Sequence, residues 1–159
     1  MVTVVDADSP ERIALARELF AEYSATPDVS VCVDDYAAEV AGLPGKYAPP
    51  AGALLLAFEN ESAIGCVALR ALEAPNAEMK RLYVRAEGRG KGVAEALVQA
   101  LVSRARTAGY AAVRLDTLPS MAAAQALYRR LGFRVIPPYP KNPIPGAVHY
   151  ELRLTNDAR

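Results

Sequence analysis

Histidine and cysteine are nearly absent from this chain, which has one of the former, His149, and two of the latter, Cys32 and Cys66. A lone histidine removes histidine-based metal sites and Ser-His-Asp triads from consideration. Two cysteines give neither a disulfide framework nor metal-ligand spacing, and Cys66 lies in an apolar run, as a small core residue does. No apolar stretch approaches the ~20 residues a membrane helix needs, and the N-terminus has no basic region followed by an apolar segment. The expectation is a cytoplasmic protein with no metal and no membrane partner. Repeats and low-complexity segments are missing too. The 159 residues, 52% of them hydrophobic, suffice for one well-buried core and not for two, so residues 1–159 read as a single domain.

The formal net charge is zero, but the charges are unevenly placed: residues 1–78 carry 13 Asp and Glu against 4 Lys and Arg, and residues 79–159 carry 5 against 14. One reading is a solvated surface whose charges pair across the fold and contribute little each. The other is a basic half that holds a polyanion and an acidic half that faces a cationic amine. A nucleic-acid partner is not expected, because the basic stretch lacks the interleaved aromatics of a base-stacking surface.

Patterning gives a mixed order of strands and helices. Val2 to Val5 reads as a strand, and Ser9-Pro10-Glu11 supplies an N-cap, an N1 proline and early acidic charge for a helix with Ile13, Ala16, Phe20 and Tyr23 on its apolar stripe. A short helix is expected after Asp34, ending near Gly42-Leu43-Pro44. Pro44 to Gly52 is rich in Pro and Gly and reads as a loop, a candidate lid. Ala53 to Phe58, Ala63 to Leu72 and Met79 to Val84 read as strands, the first two joined by a turn at Glu59-Asn60-Glu61. A helix with Val93, Leu97, Val98, Leu101 and Val102 on one wide face ends at Gly109. Val113, Leu115 and Thr117 alternate with Arg114 and Asp116 as a strand buried mainly on one face. A helix from about Met121 to Leu131 follows. Phe133 to Ile136 and Val148 to Leu154 then make an antiparallel pair across a loop with five prolines.

Between the strand ending at Val84 and the helix beginning near Gly92 lies Arg89-Gly90-Lys91-Gly92-Val93-Ala94. A strand that turns through glycines into a helix aims several unpaired N–H groups at one point, where the helix dipole adds positive charge. That is a phosphate cradle. It is not the Walker type, which needs Ser or Thr where Gly92 stands, nor the G-x-G-x-x-G dinucleotide type, whose last small residue would fall at Val93 or Glu95.

The hexamer resembles the R/Q-x-x-G-x-G/A pyrophosphate loop of the GCN5-related N-acetyltransferases, matched by Arg89, Gly92 and Ala94. Upstream, Glu78-Met79-Lys80-Arg81-Leu82-Tyr83-Val84 resembles the family's central strand. Downstream, Ala124-Gln125-Ala126-Leu127-Tyr128-Arg129-Arg130-Leu131-Gly132-Phe133 resembles its A-x-x-L-Y-x-x-x-G-F signature. The likeness runs from about Ser62 to Phe133, and Leu118 to Met121 with Pro137 to Gly146 are similar to a bacterial subgroup. It implies an α/β (α+β) fold: a mixed, mostly antiparallel sheet of about seven strands, flanked by helices, whose two central strands splay apart to admit a pantetheine arm. It also implies acetyl-CoA as acyl donor, a primary amine as acceptor, and direct attack in a ternary complex of a monomer or homodimer.

Residue roles follow from the same resemblance. Leu82, Tyr83 and Val84 would line the pantetheine, Leu82 and Val84 through their backbones; Arg89, Gly90, Lys91, Gly92, Val93 and Ala94 would hold the diphosphate. Many relatives carry Asn where this chain has Met121, so that cofactor contact is lost and Ser120 is the candidate replacement. Glu78 occupies the position where the histone-acetylating branch places its catalytic glutamate, and Tyr128 the position whose hydroxyl points at the thioester sulfur. The chemistry is consistent: freeing an alkyl amine of pKa about 10.4 at pH 7 costs roughly 4 to 5 kcal/mol, which a nearby carboxylate offsets by taking the proton. A phenol protonating a thiolate is uphill by roughly 2 kcal/mol, so hydrogen bonding to sulfur counts as much as full transfer. For the acceptor, Glu22, Asp34, Asp35 and Glu39 are candidates to attract a cation, and Tyr139, Lys141 and Asn142 to hold a carboxylate. A non-catalytic acyl-CoA sensor and a protein or peptide N-acetyltransferase are the alternatives.

Overall fold

The computed structural model describes residues 1–26 and 36–154. Seven strands form one sheet: β1 (Val2–Asp6), β2 (Ala53–Glu59), β3 (Ser62–Ala71), β4 (Asn76–Val84), β5 (Ala112–Thr117), β6 (Arg134–Ile136) and β7 (Val148–Arg153), in the order β1-β2-β3-β4-β5-β7-β6. Every neighbouring pair is antiparallel except β4 and β5. The helices are α1 (Pro10–Ser24), α2 (Tyr36–Ala41), α3 (Val93–Thr107) and α4 (Ala122–Arg130). This is the expected mixed, mostly antiparallel sheet with flanking helices. Cys32, Asp34 and Asp35 lie outside the described residues, whereas the expected short helix after them is α2.

Alternation along the strands divides the core into two layers. On one face Leu55, Val67, Leu69, Met79, Val113 and Leu115 pack with Leu97 and Leu101 of α3 and with Tyr128 of α4. Leu97 and Leu101 are wholly buried, each contributing about 1.5–3 kcal/mol of apolar burial. On the other face Leu54, Leu56, Cys66 and Ala68 pack under Ala16, Leu19 and Phe20 of α1. The α1 helix starts as its sequence predicts, with Ser9 Oγ accepting from the Arg12 amide at 3.2 Å and Pro10 in the first turn.

Pro44 to Gly52 is a loop pinned to the core at Tyr47 and Gly52. A 3₁₀ turn at Gly45–Tyr47 buries the Tyr47 ring completely, edge-on to Phe20 at 6.1 Å between centroids. Gly52 is pressed so closely beneath it that a Cβ there would stand 2.6 Å from the Tyr47 carbonyl carbon and 2.7 Å from the Leu69 carbonyl oxygen. Prolines and glycines make the segment read as a surface loop, but one aromatic residue anchors it in the core.

The charge asymmetry resolves into pairs between the two halves of the chain. Arg81 holds Glu39, Arg85 holds Glu22, Lys91 holds Glu59 and Arg104 holds Asp6, with N···O distances of 2.6–2.9 Å. Glu22, Glu39 and Lys91 are therefore already partnered. The Arg85 fork holds the Glu22 carboxyl below the usual carboxylate range.

Candidate active site

The strands that carry the site part where β4 meets β5. Their parallel pairing covers only Asn76↔Ala112, Ala77↔Val113 and Glu78↔Arg114. Beyond Glu78 the strands diverge, and the edge of β4 facing β5 is left without a ladder. β4 starts three residues before the expected Met79, and Asn76 to Glu78 form the closed end of a V between the two strands. A bulge in β4 shapes the opening: the β3–β4 register slips between Cys66 and Ala68, and Arg81 takes φ of 63°. Such a backbone is costly for a residue with a Cβ. It is held by a two-pronged ion pair from Arg81 to Glu39 at 2.8 and 2.9 Å, by the Tyr36 ring 5.1 Å from the guanidinium, and by Cys66 Sγ donating to the Arg81 carbonyl at 3.4 Å.

The parted strands enclose a cleft of about 120 Å³ lined by residues from both faces of the sheet. Met79, Leu115, Ala124 and Tyr128 come from the α3–α4 side; Tyr23, Lys80, Arg81 and Asp116 complete the lining, with Leu82, Thr117 and Met121. Tyr128 is 5% exposed, its ring packed against Phe133 and Tyr150 at 5.7 and 5.9 Å. Its hydroxyl has no hydrogen-bond partner among the described residues, and burial pushes its phenol above the ordinary tyrosine value. The result is a neutral donor at the cleft wall. Met121, which stands where an asparagine was expected, also lines the cleft, its sulfur accepting from Thr117 Oγ1 at 3.4 Å. Ser120 beside it is exposed and outside the lining.

On the α3–α4 side the cradle forms a second hollow of about 350 Å³, lined by Val84, Arg89, Gly90, Gly92, Val93, Ala94 and Arg130 among others. Gly90 and Gly92 have φ of 78° and 76°, and no atom lies within 4 Å of where a Cβ on either would sit. Gly92 caps α3 without any side-chain hydrogen bond to the first-turn amides. Open space, uncapped amides and a helix dipole fit a diphosphate. Lys91, tied to Glu59, turns from the hollow, and Tyr83 donates to Glu22 at 3.1 Å with its ring against Tyr23. Their side chains are thus committed elsewhere, and only their backbones belong to the expected binding segment.

Glu78 stands at the closed end of the V and does not line the cleft. Its carboxylate is 6% exposed and engaged on both oxygens. Oε1 lies 3.3 Å from Arg70 and 3.7 Å from Lys80, and Oε2 accepts from the Tyr139 hydroxyl at 2.6 Å. Tyr139 hangs from the proline-rich β6–β7 loop, its ring edge-on to His149 at 5.2 Å and beneath the Arg114 guanidinium at 5.5 Å. Burial, then the Glu78 charge, raises its phenol. The structure therefore joins Tyr139 to Glu78, while Lys141 and Asn142 are exposed on the same loop. Cys66 is fully buried and its thiol pushed up by that burial, which disfavours the nucleophilic thiolate.

Among the cleft residues that the sequence did not mark, Asp116 carries the only carboxylate among the described residues of the lining. Asp116 alternates with Leu115 and Thr117 as a solvated strand residue would, and only the parting of β4 from β5 puts it on the cleft wall.

Comparison with known proteins agrees with this geometry. The chain is 41% identical over 125 residues to an uncharacterised N-acetyltransferase of Schizosaccharomyces pombe, covering 77% of this chain and 75% of that protein. It is 39% identical over 87 residues to an N-acetylaspartate synthetase of Rattus norvegicus, covering 54% of this chain but 29% of that protein. Both relatives are eukaryotic, and neither supports the bacterial subgroup expected from the sequence. A Salmonella typhimurium acetyltransferase solved with acetyl-CoA shares the fold, with a TM-score of 0.75 over 99% of this chain and 96% of that one at 21% identity. The model of the acetyltransferase (GNAT) family matches residues 14–133, and the chain belongs to that family of acyltransferases.

Proposed function

We propose that the protein transfers an acetyl group from acetyl-CoA to the primary amine of a small metabolite, by direct attack in a ternary complex. The observation that carries this reading is the cleft lined from both faces of the sheet, since it lets a thioester reach from the cradle side and an amine from the α1 side. The bound cosubstrate supplies the activated acyl group. The chain's own residues do the rest. Amides at Gly90 to Ala94 hold the diphosphate, with Arg89 beside them. The unpaired edge of β4 at Leu82 and Val84 takes the pantetheine amides as an added strand. The Tyr128 hydroxyl meets the departing sulfur, an interaction that strengthens as charge develops there.

The compact cleft favours a small acceptor over a peptide, which needs an open groove. Tyr139, bonded to Glu78, closes the sheet surface beside it. The cleft lining carries the cations Lys80 and Arg81, which are paired with Glu78 and Glu39, and the carboxylate of Asp116, so amino acids and diamines are the first acceptors to try.

A panel of small amines, amino acids and short peptides, followed by CoA release and mass of the product, tests the reading. Turnover with one or more free amines is expected. Turnover on peptides alone would transfer the reading to protein acetylation, and tight acetyl-CoA binding with no turnover at all would make the protein a sensor.

A further inference from the structure

We infer that Asp116, not Glu78, is the carboxylate that receives the acceptor's ammonium group and removes its proton; the inference rests on the acetyl-transfer reading above. Asp116 is half-buried on β5 and lines the cleft that holds Tyr128. It makes no hydrogen bond or ion pair with any described residue. A partly buried carboxylate without a partner is unfavourable, and a ligand cation would supply one. The cations nearest the opening are otherwise engaged. Arg81 is clamped by Glu39, Arg114 by Glu151 at 2.8 Å, and Lys80 leans on Glu78.

Glu78 has the opposite character. It holds two cations and a phenol, so an ammonium would have to displace one of them, and it lies outside the cleft lining. Its place at the end of the V suits a positioning residue that fixes Tyr139 and Lys80. Asp116 shares the cleft lining with Tyr128 and is the register partner of His149, against whose ring Tyr139 packs. Burial is the main cause of the raised phenols of Tyr128 and Tyr139, but the Asp116 charge contributes to both, whereas Glu78 contributes to Tyr139 alone. The groups facing Asp116 are Lys80 and Arg81 from β4, Tyr23 from α1, Tyr128 from α4, Tyr139 from the β6–β7 loop, and His149, its register partner on β7.

The protons balance. The ammonium gives one to Asp116, and the free nitrogen attacks the thioester carbonyl, forming the C–N bond. As the C–S bond breaks, the nitrogen loses a second proton, which ends on the CoA sulfur through the regenerated Tyr128 hydroxyl. Asp116 returns its proton to water after product leaves.

The test compares D116N and E78Q with the parent across pH 6.5 to 10, using the best amine from the panel. A positioned base is worth about a hundred- to ten-thousand-fold. D116N is therefore expected to lose that much in kcat/KM at pH 7 and to recover about tenfold per pH unit as free amine accumulates, with acetyl-CoA affinity unchanged. Calorimetry of the amine should show weakened binding as well. E78Q is expected to keep the parent's pH profile, with any loss independent of pH. A parent-like profile in D116N, or the pH-dependent recovery in E78Q instead, overturns the assignment. If the parent itself releases no CoA with any amine, the acetyl-transfer reading fails first and takes this inference with it.

Discussion

Replacing Gly92 by valine is the sharpest probe of the cradle. Gly92 has φ of 76°, so any residue with a Cβ pays about 1–2 kcal/mol to stay there. No atom lies within 4 Å of the new Cβ, so no clash is added and the domain should remain folded. The space it fills is that assigned to the diphosphate. Losing two charge-assisted hydrogen bonds of about 1.5–3 kcal/mol each gives roughly 3–6 kcal/mol, a fall in acetyl-CoA affinity of about a hundred-fold or more. Gly109, beyond the other end of α3, provides a matched control: φ is 89° and nothing lies within 4 Å of its Cβ either. Gly109→Val should therefore share the stability cost and keep parent affinity. Urea titration measures the first quantity and calorimetry the second. Equal affinity in both variants, or equal loss in both, would refute the cradle.

Further outcomes follow from other parts of the site. Tyr128→Phe keeps the contacts with Phe133 and Tyr150 and removes only the hydroxyl, so kcat should drop ten- to a thousand-fold, roughly 1.4 to 4 kcal/mol, with acetyl-CoA affinity unchanged. Unchanged kcat, with chemistry shown to be rate-limiting, would make it a packing residue. Arg81→Ala leaves Glu39, 14% exposed, with Lys46 at 3.4 Å as its remaining cation, and should destabilise the fold in urea titration by less than the roughly 3–5 kcal/mol of a fully unpaired buried charge. Burial raises the Glu39 carboxyl, but the Arg81 contacts outweigh it and leave the group below its ordinary value of 4.5. The stability this pair contributes is therefore fully present above about pH 4.5 and is lost as acid protonates the folded carboxyl. An acid titration should show Glu39→Gln with a shallower decline than the parent. Cys66→Ala should leave turnover on the preferred amine within about threefold, because the proposed direct attack uses no covalent enzyme intermediate; trapping of an acetylated parent would argue otherwise.

What could be read from the sequence was what local chemistry dictates. Gly90 and Gly92 before an apolar helical stripe specify a turn with open amides, and the structure gives both positive φ. Tyr128 sits in a motif long enough to place it. The unread features depend on contacts distant in the chain. An arginine inside a strand gives no sign of φ 63°, because the Glu39 fork that holds it comes from 42 residues away. Asp116 reads as solvated until β4 departs from β5 beside it. Tyr47 hides in a segment whose prolines and glycines speak for exposure, and Tyr139 meets Glu78 only because the β6–β7 loop folds back over the sheet. The alternation that identified each strand could not tell which pair of strands would come apart.

A crystal structure of the protein with CoA bound tests the central claim most directly. The diphosphate is expected on the amides of Gly90 to Ala94, the pantetheine along the free edge of β4 at Leu82 and Val84, and the sulfur within hydrogen-bonding distance of the Tyr128 hydroxyl. Electron density for the sulfur outside the cleft between β4 and β5, or for the diphosphate away from the Gly92 turn, would contradict it.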